Sequence, residues 1–136
     1  MAGKRGPKNE AIVVLHIDDD PDDLEIFYKA VKTVNPLARC LLARDGREAL
    51  NILRDAIVPD YIFLDVNMPR MNGKDVLAEL RENRRLETVR VVMYSGHLHP
   101  RDAEEYSALG ATQFLSKQND FQRLCSSLEA LFGPVG

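Results

Sequence analysis

AIVVLHIDDDPDDLEIF, residues 11–27, is the stretch that decides the fold. Residues 11–17 form a continuous apolar run of strand length, as in a strand buried on both faces. Charge then arrives at once, in Asp18, Asp19 and Asp20. Pro21 follows, a residue suited to the first position of a helix, and acids suit a helix's first turn. Leu24, Phe27, Val31 and Val34 keep helical spacing until Asn35-Pro36 stops it. A buried strand that turns within a few residues into an amphipathic helix is the opening of a strand–helix–strand unit.

Outward from this stretch the same unit recurs. Residues 38–43 are a short strand, and Asp45-Gly46 turns into a helix carrying Ala49, Leu50 and Leu53. Residues 61–64 are a strand ending at Asp65, and a loop from Pro69 to Gly73 leads to a helix with Val76, Leu77 and Leu80 inward. Residues 89–94 are a strand ending at Ser95-Gly96, followed by a polar helix from Pro100 to about Leu109 that Gly110 breaks. Residues 113–116 are the last strand. The last helix, 120–132, sets Phe121, Leu124, Cys125, Leu128, Leu131 and Phe132 on one face before Gly133-Pro134 ends it. Five strands alternating with five helices predict an α/β protein, a doubly wound parallel sheet covered on both faces.

Composition agrees with one domain. The chain has 136 residues, 45% hydrophobic and 29% charged, ordinary for a globular protein. Eighteen Lys+Arg against 21 Asp+Glu leave a net charge of -3, which argues against nucleic-acid binding through bulk charge. No apolar run has the length of a membrane span or signal peptide. Cys40 and Cys125 form no metal or redox motif and read as packed small residues of a reduced, cytoplasmic protein. Residues 1–10, with Lys4, Arg5 and Lys8, read as a disordered tail, 11–133 as the domain and 134–136 as a C-terminal tail.

The polar residues gather at one kind of place. Asp18, Asp19 and Asp20 follow the first strand, Asp65 the third, Ser95 the fourth and Lys117 the fifth. In a parallel sheet all these strand ends share one edge, where open α/β sheets bind ligands. Crowded carboxylates repel and call for a bound positive charge. Their hard oxygens suit Mg²⁺, or the similar Mn²⁺. An ionised Asp can itself attack phosphorus to give an acyl phosphate. A Lys can pair with the charge so added and a hydroxyl can hydrogen-bond it.

HIDDDPDD (16–23), DGREAL (45–50), FLDVNMPRMNG (63–73), VVMYSG (91–96) and ALGATQFLSK (108–117) occur in this order on this alternation. Together they identify the chain as similar to the receiver domain of bacterial two-component response regulators, from about Ile12 to Phe132. The resemblance implies a flavodoxin-like (βα)5 fold with strand order 2-1-3-4-5. It implies Asp65 as phosphoacceptor and Asp18 and Asp19 as the acid pair that organises Mg²⁺, Asp19 the more direct ligand. Asn67 would offer its backbone carbonyl to the metal. Ser95 would be the switch hydroxyl, Lys117 the phosphate-pairing amine and Phe114 the aromatic switch. Pro69 and Gly73 would shape the loop after Asp65. Asn67 and His97 would flank the path of the hydrolytic water and tune phosphoryl lifetime. The expected donor is a sensor histidine kinase or phosphotransfer protein. The expected output is binding of a downstream protein through the fourth helix, fifth strand and fifth helix, a face that serves some relatives for homodimers. The run of acids and the short length are similar to single-domain regulators paired with separately encoded kinases, some of them light-sensing.

The sequence departs from the family pattern after the active-site Lys, where Gln118 stands in place of Pro, so the family's cis bond is not expected there. Phe114 lacks the hydroxyl of the commoner Tyr. Other residues have plainer readings. Asp20, Asp22 and Asp23 are a solvated helix start. His97 and His99 lack a third metal ligand. His16, in an apolar strand, is a core or edge histidine. Two further functions compete with the signalling module. An aspartyl phosphatase of the haloacid-dehalogenase type would need a second acid where Asn67 stands. A phosphorylation-independent binding module would have no use for the complete set Asp18, Asp19, Asp65, Ser95 and Lys117.

Overall fold

A computed structural model of the chain describes residues 11–54, 57–68 and 72–132. The expectations for Lys4, Arg5, Lys8, Pro69, Gly133 and Pro134 lie outside those residues. The elements run β1 (Val13–Ile17), α1 (Pro21–Val34), β2 (Arg39–Ala43), α2 (Gly46–Arg54), β3 (Tyr61–Asp65), α3 (Gly73–Glu82), β4 (Arg90–Ser95), α4 (Pro100–Ala108), β5 (Gln113–Ser116) and α5 (Phe121–Leu131). All pairings are parallel, in the order β2-β1-β3-β4-β5. Both the order and the doubly wound architecture are those expected. A one-turn 3₁₀ helix, Arg84–Leu86, stands between α3 and β4 and was not foreseen.

Side-chain alternation divides the core into two layers. Leu15, Ile17, Ile62, Leu64, Val91 and Met93 meet α2, α3 and α4 on one face. Val14, Phe27, Phe63, Val92, Tyr94, Leu124 and Leu128 fill the other, under α1 and α5. The central strands β1, β3 and β4 are almost wholly buried, whereas β5, at the edge, alternates half-buried and exposed. Phe121, expected on the inward face of α5, is exposed instead. It stands in the first turn of the helix, a full turn before Leu124 reaches the sheet.

Local signals place each helix start. Asp20, Asn72 and Asp120 cap α1, α3 and α5 with their carboxylate or amide oxygens. At α2, Asp45 accepts from Glu48 N–H while Glu48 reaches back to Arg44 N–H, a variant of the capping box. Gly110 ends α4 at φ 109°, where a Cβ would sit 2.7 Å from Arg81 Cγ. Arg81 donates to the carbonyls of Gly110, Leu86 and Val89 and so ties α3 to the turn that enters β5. No helix among the described residues is long and apolar enough to cross a membrane.

Candidate functional site

Asp18, Asp65 and Lys117 leave β1, β3 and β5 at the C-terminal edge of the sheet, and the fold brings them together. Lys117 Nζ lies 3.0 Å from Asp18 Oδ2 and 3.4 Å from Asp65 Oδ1. Lys117 N–H donates to Ser95 carbonyl oxygen at 2.8 Å, fastening the end of β5 to the end of β4. Asp18 is fully buried and Asp65 is 3% exposed. Asp19 is exposed, with a carboxylate oxygen close to both. Oxygens of Asp18, Asp19 and Asp65 lie within 4.8 Å of one another, and among the described residues this is the group of potential ligands able to share one ion. An all-oxygen set of this span fits a hard divalent cation.

The two buried carboxylates divide the electrostatic load unequally. Burial pushes Asp18 up, but His16, the Asp20 N–H and Lys117 outweigh it and hold the carboxyl at about 2. Asp20 N–H donates to Asp18 Oδ1 at 2.9 Å. His16 Nε2 stands 3.4 Å from Asp18 Oδ2, a long polar contact from the buried imidazole that lowers Asp18. His16 is the core histidine expected, and burial holds it neutral. Asp65 is raised, by burial first and by the charge of Asp18 second, with Lys117 opposing. Asp65 is therefore the member of the pair that gains most from a nearby positive charge.

Ser95 is 4% exposed, and its hydroxyl is fully engaged. Oγ donates to His97 carbonyl oxygen at 2.8 Å and accepts from His97 N–H at 3.1 Å and from Asn67 Nδ2 at 3.3 Å. One donor and two lone pairs are the whole capacity of a hydroxyl. Asn67 also donates its backbone N–H to Asp65 Oδ1 at 3.2 Å, so Asn67 links Asp65 to Ser95 through one residue. His97 is exposed beside Ser95, and Phe114, 37% exposed, is paired with Met93 on the edge strand. His99 accepts from Arg101 N–H at 3.3 Å and caps α4. The Lys117–Gln118 peptide is not cis.

Two features were missed in the sequence. Asp23, expected as a solvated helix start, places Oδ2 2.8 Å from Lys117 Nζ. Its spacing of four from buried Phe27 sets it on the inward stripe of α1, a signal that was available. The second is the seam between α3 and α4. Tyr106 is buried and its hydroxyl would lie 3.3 Å from a Cβ on Gly73, while Lys74 pairs with Asp102 at 3.6 Å and with Glu105. A Cβ at Gly73 would therefore fit only if the Tyr106 hydroxyl gave way by a few tenths of an ångström.

The family model for the "Response regulator receiver domain" matches residues 14–129, and the chain belongs to that family. A receiver domain is a signalling domain of two-component systems. Response regulator Rcp1 of Synechocystis sp. is 25% identical over 129 residues, covering 90% of this chain and 88% of that protein. The structure of chemotaxis protein CheY4 of Vibrio cholerae matches with a TM-score of 0.79 at 26% identity, covering 89% of this chain and 98% of that one. A Mn²⁺-bound form of Rcp1 matches with a TM-score of 0.77 at 24% identity, over 92% of this chain and 97% of that one. Other relatives are much longer, and the chain spans 23% of a "Probable cyclic di-GMP phosphodiesterase" of Vibrio cholerae that is 30% identical over 104 residues.

Proposed function

We propose that the protein is a response regulator that takes a phosphoryl group on Asp65 from a phosphohistidine of a sensor kinase or phosphotransfer protein. The observation that carries this reading is a buried Asp65 carboxylate set between two other acids and one ammonium. In the transfer an Asp65 oxygen forms the new O–P bond, the donor's P–N bond breaks, and the leaving imidazole keeps the electron pair and takes a proton from water. Bound Mg²⁺ would supply charge neutralisation at the phosphoryl oxygens, with Asp18, Asp19, Asp65 and the Asn67 carbonyl as its protein ligands. The acid cluster and the existence of a Mn²⁺-bound form of Rcp1 support a divalent cation in this family's site. Lys117 pairs with the added charge.

The acyl phosphate brings roughly 1.5–2 negative charges and three acceptor oxygens. Ser95 can donate to them only by releasing His97 carbonyl oxygen. That release alters the 96–99 loop, which leads directly into α4. Phe114, half in solvent on β5, has room to repack as that loop moves. The α4–β5–α5 surface is then the output face for a downstream protein, and the switch is a population shift between two packings. Asn67 makes a phosphoesterase the weaker reading. Its amide is bonded to Ser95 and has no acid proton for a leaving group.

Incubation with acetyl phosphate and Mg²⁺ is expected to give one labile 80 Da adduct per chain, mapped to Asp65 by peptide mass, and none when the metal is chelated. A stable adduct elsewhere overturns the reading. Mg²⁺ alone is expected to raise the melting temperature at pH 7–8, by ~2.7 kcal/mol of stability at a hundredfold excess over Kd. Asp65, raised in the fold, contributes stability that is present below its unfolded pKa and lost as pH rises through the folded one. The cation reverses that loss, so its effect should shrink toward pH 4. An equal Mg²⁺ effect at both pH values in thermal melts would count against the acid cluster as the binding site.

A further inference from the structure

Lys117 shares its ammonium among three carboxylates, and the shares are unequal. Nζ lies 2.8 Å from Asp23 Oδ2, 3.0 Å from Asp18 Oδ2 and 3.4 Å from Asp65 Oδ1. The first two contacts are hydrogen bonds, and the third is an ion pair at longer reach. Asp18 has other work in the site, since its second oxygen accepts from Asp20 N–H and it belongs to the acid group that can share an ion. Asp23 stands outside that group, in the first turn of α1, and its carboxylate is spent on Lys117. Burial pulls the pKa of Lys117 down, and the Asp23 bond, ahead of the Asp18 bond, brings it back above the ordinary lysine value.

This geometry has a consequence for phosphorylation. A short ammonium–carboxylate bond is of the strong, charge-assisted kind. It holds Nζ on the α1 side of the site, and Asp65 receives the longest of the three contacts. A phosphoryl group on Asp65 presents three further acceptors and needs the ammonium there. An ammonium has three donors, and Asp23 and Asp18 already occupy two. One donor remains for the phosphoryl group, but Nζ is held nearer Asp23 and Asp18 than Asp65, so the phosphoryl oxygens can draw it to full contact only against the pull of Asp23.

We propose that Asp23 is a positioning residue that holds Lys117 in reserve and competes with the phosphoryl group on Asp65 for it, weakening the phosphorylated geometry. The inference rests on the phosphoacceptor reading given above and adds a residue to it. Asp23 is half-buried, so water moderates the competition. Its removal should strengthen capture of a phosphoryl mimic by about three- to tenfold, the scale of one partly exposed charged hydrogen bond.

The test is calorimetric titration of beryllofluoride in the presence of Mg²⁺ into wild type, Asp23→Asn and Asp22→Asn. Asp22→Asn removes the same charge from the same helical turn without touching Lys117. Mg²⁺ alone is titrated into each protein beforehand. The expected result is about three- to tenfold tighter beryllofluoride binding by Asp23→Asn, Asp22→Asn within about twofold of wild type, and Mg²⁺ affinity no tighter in either. The gain should vanish when Asp23→Asn is placed on Lys117→Met, because the competition needs the ammonium. Unchanged or weaker mimic binding by Asp23→Asn overturns the inference while leaving the phosphoacceptor reading intact. An equal gain in Asp22→Asn overturns it too, as a plain charge effect. Failure of the wild type to bind beryllofluoride sinks the phosphoacceptor reading, and this inference with it.

Discussion

Replacing Asp65 with Asn is expected to abolish the labile phosphoryl adduct and, in the metal-free protein at neutral pH, to raise the melting temperature. The first effect is total because an amide cannot form the acyl phosphate. The second follows from where the carboxylate sits. Asp65 is 3% exposed and lies beside an Asp18 that stays ionised, so its own charge carries both a desolvation penalty and a repulsion. Lys117 offsets only part of this, because its nearer partners are Asp23 and Asp18. The Asn Oδ1 can still accept from Asn67 N–H, as Asp65 Oδ1 does. The net gain should show as a rise of a few degrees in the melting temperature. It should fade toward pH 4, where the wild-type carboxyl takes up its proton. Intact mass with acetyl phosphate and melts between pH 4 and 8 check both halves. A labile adduct that survives the substitution removes Asp65 from its role, and a melting temperature that falls removes the electrostatic account.

The sequence was legible where one local signal fixed one outcome. Residues 11–17 and 61–64 are apolar on both parities, as strands covered on both faces are; Pro21 punctuates because its ring fixes φ, and Gly110 because it takes φ 109° without strain. Strand ends then followed from the parallel order, which is why the sequence alone places Asp18, Asp65, Ser95 and Lys117 on one edge. What was not legible depends on distances across elements. The spacing of Asp23 from Phe27 marks it as inward, but only the position of α1 against β5 makes Lys117 its partner. Asn67 was assigned to the metal through its backbone carbonyl and to the hydrolytic water through its side chain, yet the bond of its amide to Ser95 was not foreseen. Phe121 read as inward because its spacing matches Leu124 and Leu128, but α5 meets the sheet only from its second turn. The Tyr106–Gly73 packing joins residues 33 positions apart, and neither shows it alone.

Phe27→Ala should be the most destabilising single change, at ~3–5 kcal/mol out of a total of about 5–15 kcal/mol for a domain of this kind. Phe27 is fully buried, with ring centroids 4.1 Å from His16, 4.8 Å from Phe63 and 5.5 Å from Tyr94. These four rings form the floor of the site. His16 precedes Asp18 by two residues, and Lys117 Nζ sits 5.4 Å from the Tyr94 ring centroid. The floor is also the joint that fixes α1 on the sheet, so it sets where Asp23 stands relative to Lys117. A cavity there removes dispersion contacts from both, and close-packed neighbours relax only in part. Urea unfolding should therefore show a much lower midpoint with an unchanged m-value. Ile26→Ala, one residue earlier but 47% exposed, should change stability by less than ~0.5 kcal/mol. Below its unfolding transition, the Phe27→Ala protein should also bind Mg²⁺-beryllofluoride more weakly than wild type, because the acids and the lysine have lost their common support. Loss of stability without loss of mimic binding would show that the strand ends alone hold the site. A penalty near that of Ile26→Ala would show that α1 is fixed by something other than the aromatic floor.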